Sequence, residues 1–191
     1  MEDQIAISRI KQGDPGGLEA LVGVYQVRAV YTAYMIVFDR SLAEEIAQTA
    51  FVRIVEKIQQ FDEKRPFAPW FFRIVVNEAL RVARYQRQTI SLDDDPDEDV
   101  SAVARWLSDP QPQPEKLVEA KETQQVLLAA LKRLKPEQRA VVVMHYYFEM
   151  SEADMSARLD RPVSTIKWWL RAARERLQSL LRSSRMFEDR D

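Results

Sequence analysis

Residues 89–114 constrain everything else in this chain, because they cannot join a core. They hold the run Asp93-Asp94-Asp95-Pro96-Asp97-Glu98-Asp99 and then Pro110-Gln111-Pro112-Gln113-Pro114. Mutually repelling carboxylates and prolines offer too little apolar surface to offset the entropy of ordering the chain. The segment reads as a linker, so the 191 residues divide into two modules, each with a modest core of its own. Inside the linker Val100, Val103, Trp106 and Leu107 recur at helical spacing, which suits a short helix docked locally on the protein itself or on a partner.

Charge follows the same division. The formal net charge is −2, but it averages three unlike segments. Residues 1–88 carry 12 basic and 11 acidic side chains, residues 89–122 carry 3 and 10, and residues 123–191 carry 13 and 9. The acid lies in the middle, and the C-terminal module is basic.

With only four glycines, abundant helix formers and no sustained alternation of apolar and polar residues, the fold class is all-α. Four helices are expected before the linker. The first is short, over residues 4–12. The second starts at Asp14-Pro15, where aspartate accepts from orphan amides and proline suits the first turn, and runs to about Phe38. Ser41-Leu42-Ala43-Glu44 has the form of a capping box for the third. That helix puts Ala43, Ile46, Ala47, Ala50, Phe51, Ile54, Val55 and Ile58 on one face and Glu45, Gln48, Thr49, Val52, Arg53 and Glu56 on the other. The fourth starts between Pro66 and Pro69 and turns Trp70, Phe71, Ile74 and Val75 inward. Its Arg73, Asn77, Arg81 and Arg84, at steps of four, four and three, share a polar stripe.

Beyond the linker a helix over residues 115–134 leads to Pro136, a first-turn proline, and a helix over residues 137–148 whose apolar face is core. Ser151, with Asp154 three residues on, caps a short helix with Met155 and Leu159 inward. Asp160-Arg161-Pro162-Val163 ends it, and Ser164 caps the last helix. There Ile166, Leu170, Ala173, Leu177 and Leu181 form the buried stripe, leaving Ser164, Thr165, Lys167, Trp168, Arg171 and Arg174 outside. Two helices and a tight turn make a helix-turn-helix. Residues 158–185 carry eight basic and two acidic side chains, where a recognition helix would meet phosphates and base edges.

Other function classes fit poorly. There is no cysteine and a single histidine, and no glycine-rich phosphate loop, so no catalytic residue, cofactor or metal site is expected. His145, in an apolar helix, reads as core. The aspartate run lacks the glycine and final glutamate of a calcium loop. No uninterrupted apolar stretch approaches the roughly 20 residues of a membrane span, and the start Met1-Glu2-Asp3-Gln4 lacks the pattern of a secretory signal. A cytoplasmic protein without membrane insertion is expected.

Two helical modules joined by an acidic linker, the second a helix-turn-helix, resemble the extracytoplasmic-function type of bacterial sigma factor in the sigma-70 family. The resemblance covers nearly the whole chain. In the first module Ala43-Glu44-Glu45-Ile46-Ala47-Gln48-Thr49-Ala50-Phe51, followed by Phe67-x-x-Trp70-Phe71-x-Arg73-Ile74-x-x-Asn77, looks like the family's second conserved region. In the second module Leu134-Lys135-Pro136-Glu137-Gln138-Arg139, Ser151-x-x-Asp154-Met155, Ser164-Thr165-Ile166-Lys167 and Arg174-x-Arg176-Leu177 look like the fourth.

The resemblance implies that residues 1–88 dock on core RNA polymerase and help open the minus-ten element, and that residues 115–191 read the minus-thirty-five element in duplex DNA. Glu45, Gln48, Thr49, Val52 and Arg53 become the expected polymerase contact. Trp70, Arg73, Asn77, Arg81 and Arg84, with the loop over residues 61–69, would face melted single-stranded DNA. Arg161, Ser164, Thr165, Lys167, Trp168, Arg171 and Arg174 would face the duplex, Lys167 and Arg171 foremost. An extended linker of about 26 residues could reach at most roughly 90 Å, enough for separate DNA elements. An anti-sigma protein is a further implied partner.

Three departures bear on these assignments. Arg81 stands where the family usually has an aspartate. Asp160 and Ser164 replace habitual glycines around the turn, which suggests a different backbone route there. Trp168 and Trp169 replace small and basic residues; Trp169 is expected in the core, leaving Trp168 to face DNA, a regulatory protein or only neighbouring arginine stems. A stand-alone helix-turn-helix regulator of duplex DNA explains the C-terminus equally well. It does not explain the aromatic, arginine and asparagine helix beside a polar docking face.

Overall fold

The computed structural model describes residues 2–89 and 125–183. The expectations for the acidic linker, its short helix, residues 115–124 and Arg185 lie outside these residues. Every regular element among the described residues is helical, and the chain separates into two compact units, Met1–Thr89 and Ile90–Asp191.

Unit 1 contains α1 (Glu2–Lys11), α2 (Pro15–Val37), α3 (Arg40–Lys57), a 3-10 turn (Ile58–Gln60) and α4 (Phe67–Thr89). Asp14 caps α2, its carboxylate accepting from the Gly16 amide at 2.9 Å, with Pro15 in the first turn. The hydrogen bond from Arg9, then that from Gly16, holds the Asp14 carboxyl below its ordinary value. A Cβ added at Gly17 would lie 2.4 Å from the Ala6 carbonyl oxygen, so only glycine permits this approach of α1 to α2. The α2 helix ends at Phe38 in the left-handed conformation, φ 55°.

By length and average hydropathy α2 is long and apolar enough to cross a bilayer, a test that a mostly buried core helix also passes. Glu19, Gln26, Arg28 and Thr32 interrupt its apolar run. In the fold 56% of its most apolar window is buried, with Leu21, Tyr25, Ala29, Ala33 and Ile36 turned into the core of unit 1.

The cap of α3 is Asp39, whose carboxylate accepts from the Leu42 amide at 2.9 Å; Ser41 already lies inside the helix, so the expected capping box is not used. Aspartate competes as well as serine for that place and here comes two residues earlier. Ala43, Ile46, Ala47, Ala50, Phe51 and Ile54 are buried as their spacing predicts, but Val55 is exposed. On α4 the buried face is Phe67, Phe71, Phe72, Val75, Val76, Ala79, Leu80 and Ala83, while Trp70 and Ile74, expected inside, are half-buried. Tyr25 meets Phe67, Phe71 and Phe72 edge to face with ring centroids 5.4, 5.7 and 6.0 Å away, and Phe51 meets Phe71 at 4.9 Å.

Unit 2 contains helical residues 125–132 (α5), α6 (Pro136–Val142) running into a π turn (Val143–Tyr147), α7 (Glu152–Leu159) and α8 (Val163–Ser183). The regular helix expected through residue 148 therefore gives way to wider i→i+5 bonding at Val143, with Phe148 N–H donating to the Val143 carbonyl at 3.3 Å. Ser151 caps α7 as expected, accepting from the Asp154 amide at 3.1 Å while donating to the Asp154 carboxylate at 2.6 Å. The core joins Leu128, Leu131 and Leu134 to Ala140, Val141, Val143 and Met144, and includes Met155, Ile166, Leu170 and Ala173.

Two outcomes follow. Gly17→Ala should separate α1 from α2 and cost about 1–3 kcal/mol in urea unfolding, because the obstructing atom is backbone and cannot rotate away. Burial of Tyr25, and then its 2.6 Å hydrogen bond to Asp3, push its phenol above the ordinary value. A raised folded pKa gives stability that is complete below the unfolded phenol value of about 10 and declines as pH rises past it. Unfolding midpoints between about pH 8 and about pH 10.5 should fall, and Tyr25→Phe should flatten that slope.

Candidate nucleic-acid interface

On α4 the aromatic face fixes which residues look outward. Arg73, Asn77, Arg81 and Arg84 are all exposed, as the stripe predicts. Trp70 sits at the head of this stripe, held by Phe61 and Phe67 with ring centroids 4.9 and 5.7 Å away. Residues 67–69 belong to α4, so the loop expected over 61–69 is shorter, over 61–66. Lys11 on α1 pins it: its ammonium donates to the Phe61 carbonyl at 3.1 Å and to Glu63 at 2.7 Å, and Gln59 donates back to the Lys11 carbonyl at 3.0 Å. The loop thus starts from a fixed base beside the stripe.

On α3 Glu45, Gln48, Val52 and Glu56 are exposed, while Thr49 and Arg53 are half-buried. Arg53 is not simply a surface cation. Its guanidinium lies 2.8 Å from the carboxylate of Glu78, which is only 2% exposed on the inner side of α4. The other oxygen of Glu78 accepts from Arg81, whose Nε lies 2.9 Å away and whose Nη2 also contacts it. That hydrogen bond holds the Arg81 guanidinium above its already high ordinary value. Two arginines expected on different surfaces, one toward a protein and one toward DNA, therefore share one buried carboxylate. Glu78 is not among the residues expected at either surface. Its signal was spacing: Phe71, Val75 and Glu78 fall at i, i+4 and i+7 on the core face, where a carboxylate must find cations.

In unit 2 the turn of the helix-turn-helix closes without glycine. Asp160 itself takes the left-handed position, φ 52°, which aspartate tolerates better than most residues. The Ser156 hydroxyl donates to the Arg161 carbonyl at 2.6 Å, and the Arg161 amide donates to the Ser156 carbonyl at 3.2 Å. No different backbone route is needed. Ser164 does not cap α8; the helix starts at Val163, and the Pro162 carbonyl accepts from Thr165 and Ile166 at 2.9 and 3.2 Å.

The outer face of α8 presents Ser164, Lys167, Trp168, Arg171 and Arg174 to solvent, with Arg161 exposed in the turn and Thr165 half-buried. Trp168 is 60% exposed as expected, but Trp169, expected in the core, is only half-buried. The cations differ in their partners. Lys167 lies 3.8 Å from Glu152, and Arg171 donates to Glu175 at 2.8 Å, which raises its pKa further. Arg174 instead donates to the Tyr146 hydroxyl at 2.9 Å and lies 3.2 Å from Nε2 of His145. His145 is thus half-buried and hydrogen-bonded, not the core residue expected; the π turn rotates it outward. Among the described residues no three histidine or carboxylate groups gather to hold a metal ion.

Comparison with known proteins matches these two units separately. The family model for sigma-70 region 2 matches residues 21–89 and that for sigma-70 region 4 matches residues 124–177. The extracytoplasmic-function (ECF) RNA polymerase sigma factor SigW of Bacillus subtilis is 28% identical over 92% of this chain and 95% of its own. The solved structure of CnrH, in complex with the cytosolic domain of CnrY, aligns with TM-score 0.63 and 20% identity over 96% of this chain and 99% of that one. The sigma factor RpoE of Bartonella quintana, solved with the anti-sigma factor NepR, aligns with TM-score 0.62 and 18% identity over 86% and 96%.

The shared carboxylate makes a checkable demand. Removing both guanidiniums by Arg53→Ala with Arg81→Ala leaves Glu78 buried and unpaired and should cost about 2 kcal/mol or more, reduced from a fully buried pair by the exposure of Arg81. The same double substitution in a Glu78→Gln background should cost much less; equal losses in urea unfolding of both backgrounds would show that the carboxylate does not need its cations.

Proposed function

The chain belongs to the sigma-70 family, in its extracytoplasmic-function type, and on that premise we propose how its two units divide promoter recognition. It is a sigma factor that confers promoter specificity on bacterial RNA polymerase in transcription initiation. Residues 1–88 are the core-polymerase and minus-ten module, residues 115–191 the minus-thirty-five module, and residues 89–114 the linker between them. What carries this division is the coincidence of two family matches, in order, with two units that each expose a cationic face.

On α3, Glu45, Gln48, Thr49 and Val52 meet core polymerase, with Arg53 shared between that surface and Glu78. On α4, Arg73, Arg81 and Arg84 track the backbone of the opened strand, while Asn77 offers both a donor and an acceptor to an unstacked base. Trp70, backed by Phe61 and Phe67, supplies an aromatic edge beside it. Holding melted strands in a cationic groove lowers the cost of opening without any bond being made or broken by the protein, so the chain acts in regulation and not as an enzyme. On α8, Lys167 and Arg171 reach base edges near the helix start, with Ser164 and Thr165 beside them and Arg161 on the backbone. Arg171 must exchange Glu175 for DNA. That exchange sharpens discrimination, because a wrong base leaves the guanidinium with its intramolecular partner.

The cytoplasm is the site of action, and a stress or envelope response the regulon, as the family type suggests. The solved complex of a similar fold with an anti-sigma factor supports restraint by such a protein.

The division is tested with holoenzyme assembled on core polymerase. Arg171→Ala should weaken duplex binding at the minus-thirty-five element by about 5- to 100-fold. Asn77→Ala should keep that affinity within about twofold yet sharply reduce permanganate reactivity of thymines in the minus-ten element. Equal loss of duplex binding in both variants would contradict the assignment.

A further inference from the structure

The π turn ahead of the helix-turn-helix is used to build something. A π turn takes more residues per revolution than an α turn, so consecutive side chains lie nearer the same face. His145 and Tyr146 are consecutive in it, their rings meeting edge to face at 4.8 Å, and both reach the same residue of α8, Arg174.

The hydrogen bonds fix the chemistry of the group. Nδ1 of His145 lies 3.1 Å from the Met150 carbonyl, which can only accept, so Nδ1 carries the proton. Nε2 is then an acceptor, facing an Arg174 Nη2 that can only donate. Nε of Arg174 donates to the Tyr146 oxygen, and the guanidinium carbon lies 5.7 Å from the Tyr146 ring centroid. Two neutral groups therefore orient the guanidinium without cancelling its charge, whereas Lys167 and Arg171 each face a carboxylate. Arg174 keeps further N–H groups for an outside acceptor, and the Tyr146 hydroxyl, having accepted from Nε, keeps its own proton to donate. Tyr146 is 60% exposed. The pair offers convergent donors and a positive charge that meets no carboxylate among the described residues, which is what an anionic oxygen requires.

Position says which anion. Arg174 lies eleven residues beyond Val163, about 16 Å along α8 at 1.5 Å per residue. The major groove is only about 12 Å wide, and a recognition helix reads bases with its first turns. A side chain this far along meets the backbone. Resting on the reading of α8 as the duplex-recognition helix, we propose that Tyr146 and Arg174 clamp one phosphate of the DNA backbone and that His145 is the residue positioning that clamp. Arg174 then sets register and affinity and does not discriminate sequence.

The test uses holoenzyme and a promoter fragment it binds, with the same fragment carrying base changes in the minus-thirty-five element, titrated from about 50 to about 200 mM salt. Arg174→Ala should weaken binding by the same factor on every fragment and flatten the slope of log K against log salt by about one. Arg174→Lys should keep the slope while losing affinity several-fold, since lysine keeps the charge but not the fork. Tyr146→Phe should lose a few-fold, and His145→Ala several-fold, with rescue by His145→Gln, whose amide both donates and accepts. An unchanged slope with altered base preference in Arg174→Ala would make Arg174 a base reader and overturn the clamp. Wild-type affinity in both Tyr146→Phe and His145→Ala would overturn the positioning role. Lys167→Ala and Arg171→Ala separate the two levels: if they lose affinity and Arg174→Ala does not, the clamp alone fails, and if none of the three loses affinity, the groove reading of α8 fails with it.

Discussion

Unit 1 is organised by the seating of α4. Phe67, Phe71 and Phe72 lie against Tyr25 and Phe51 at centroid separations that aromatic rings favour, and each ring hides a large apolar area. Once that face is committed, the rotation of α4 about its axis has no freedom left. The stripe of Arg73, Asn77, Arg81 and Arg84 has to point outward, and Glu78 has to point inward. The buried carboxylate then determines the rest: it draws Arg53 across from α3 and Arg81 from its own helix, so the surface proposed for polymerase and the surface proposed for DNA are joined by one charge.

Unit 2 shows how a shared cationic face is differentiated by its partners. Lys167 and Arg171 lie against carboxylates that would have to yield in the proposed duplex contact, while Arg174 is oriented by a tyrosine and a histidine. Exchange suits a residue that chooses between bases; a standing charge suits one that meets the same phosphate in every sequence. The net acid of residues 89–122 hides this basic face when charge is averaged over the chain, which is why the total of −2 says little about either unit.

Much of this was legible in the sequence because it depends on local rules. Asp14 with Pro15, Ser151 with Asp154, the stripe on α4 and the buried line Ile166, Leu170 and Ala173 on α8 all follow from caps and periodicity. The misses share a cause, which is competition between neighbours or contact across the fold. Asp39 outcompetes Ser41 because an equivalent side-chain acceptor lies two residues earlier, and α8 starts at Val163, which leaves Ser164 inside the helix. Val55 lies next to buried Ile54 at the edge of the apolar face of α3 and stays exposed. The spacing that turns Glu78 inward is local, but its partner Arg53 and the partner of His145, Arg174, lie on other helices, so no single window of sequence contains either pair. Family resemblance supplied the functional frame and put Asp160 where glycine is habitual, but the different backbone route expected there is not taken, because Asp160 itself adopts the left-handed conformation.

The decisive measurement is multi-round transcription with the purified chain added to bacterial core polymerase free of other sigma factors, on a pool of genomic promoters. New transcripts starting from a shared pair of upstream elements, and absent without the chain, are the predicted result. No transcripts, together with tight binding of duplex DNA by the chain alone, would contradict a sigma factor and leave a stand-alone helix-turn-helix regulator in its place.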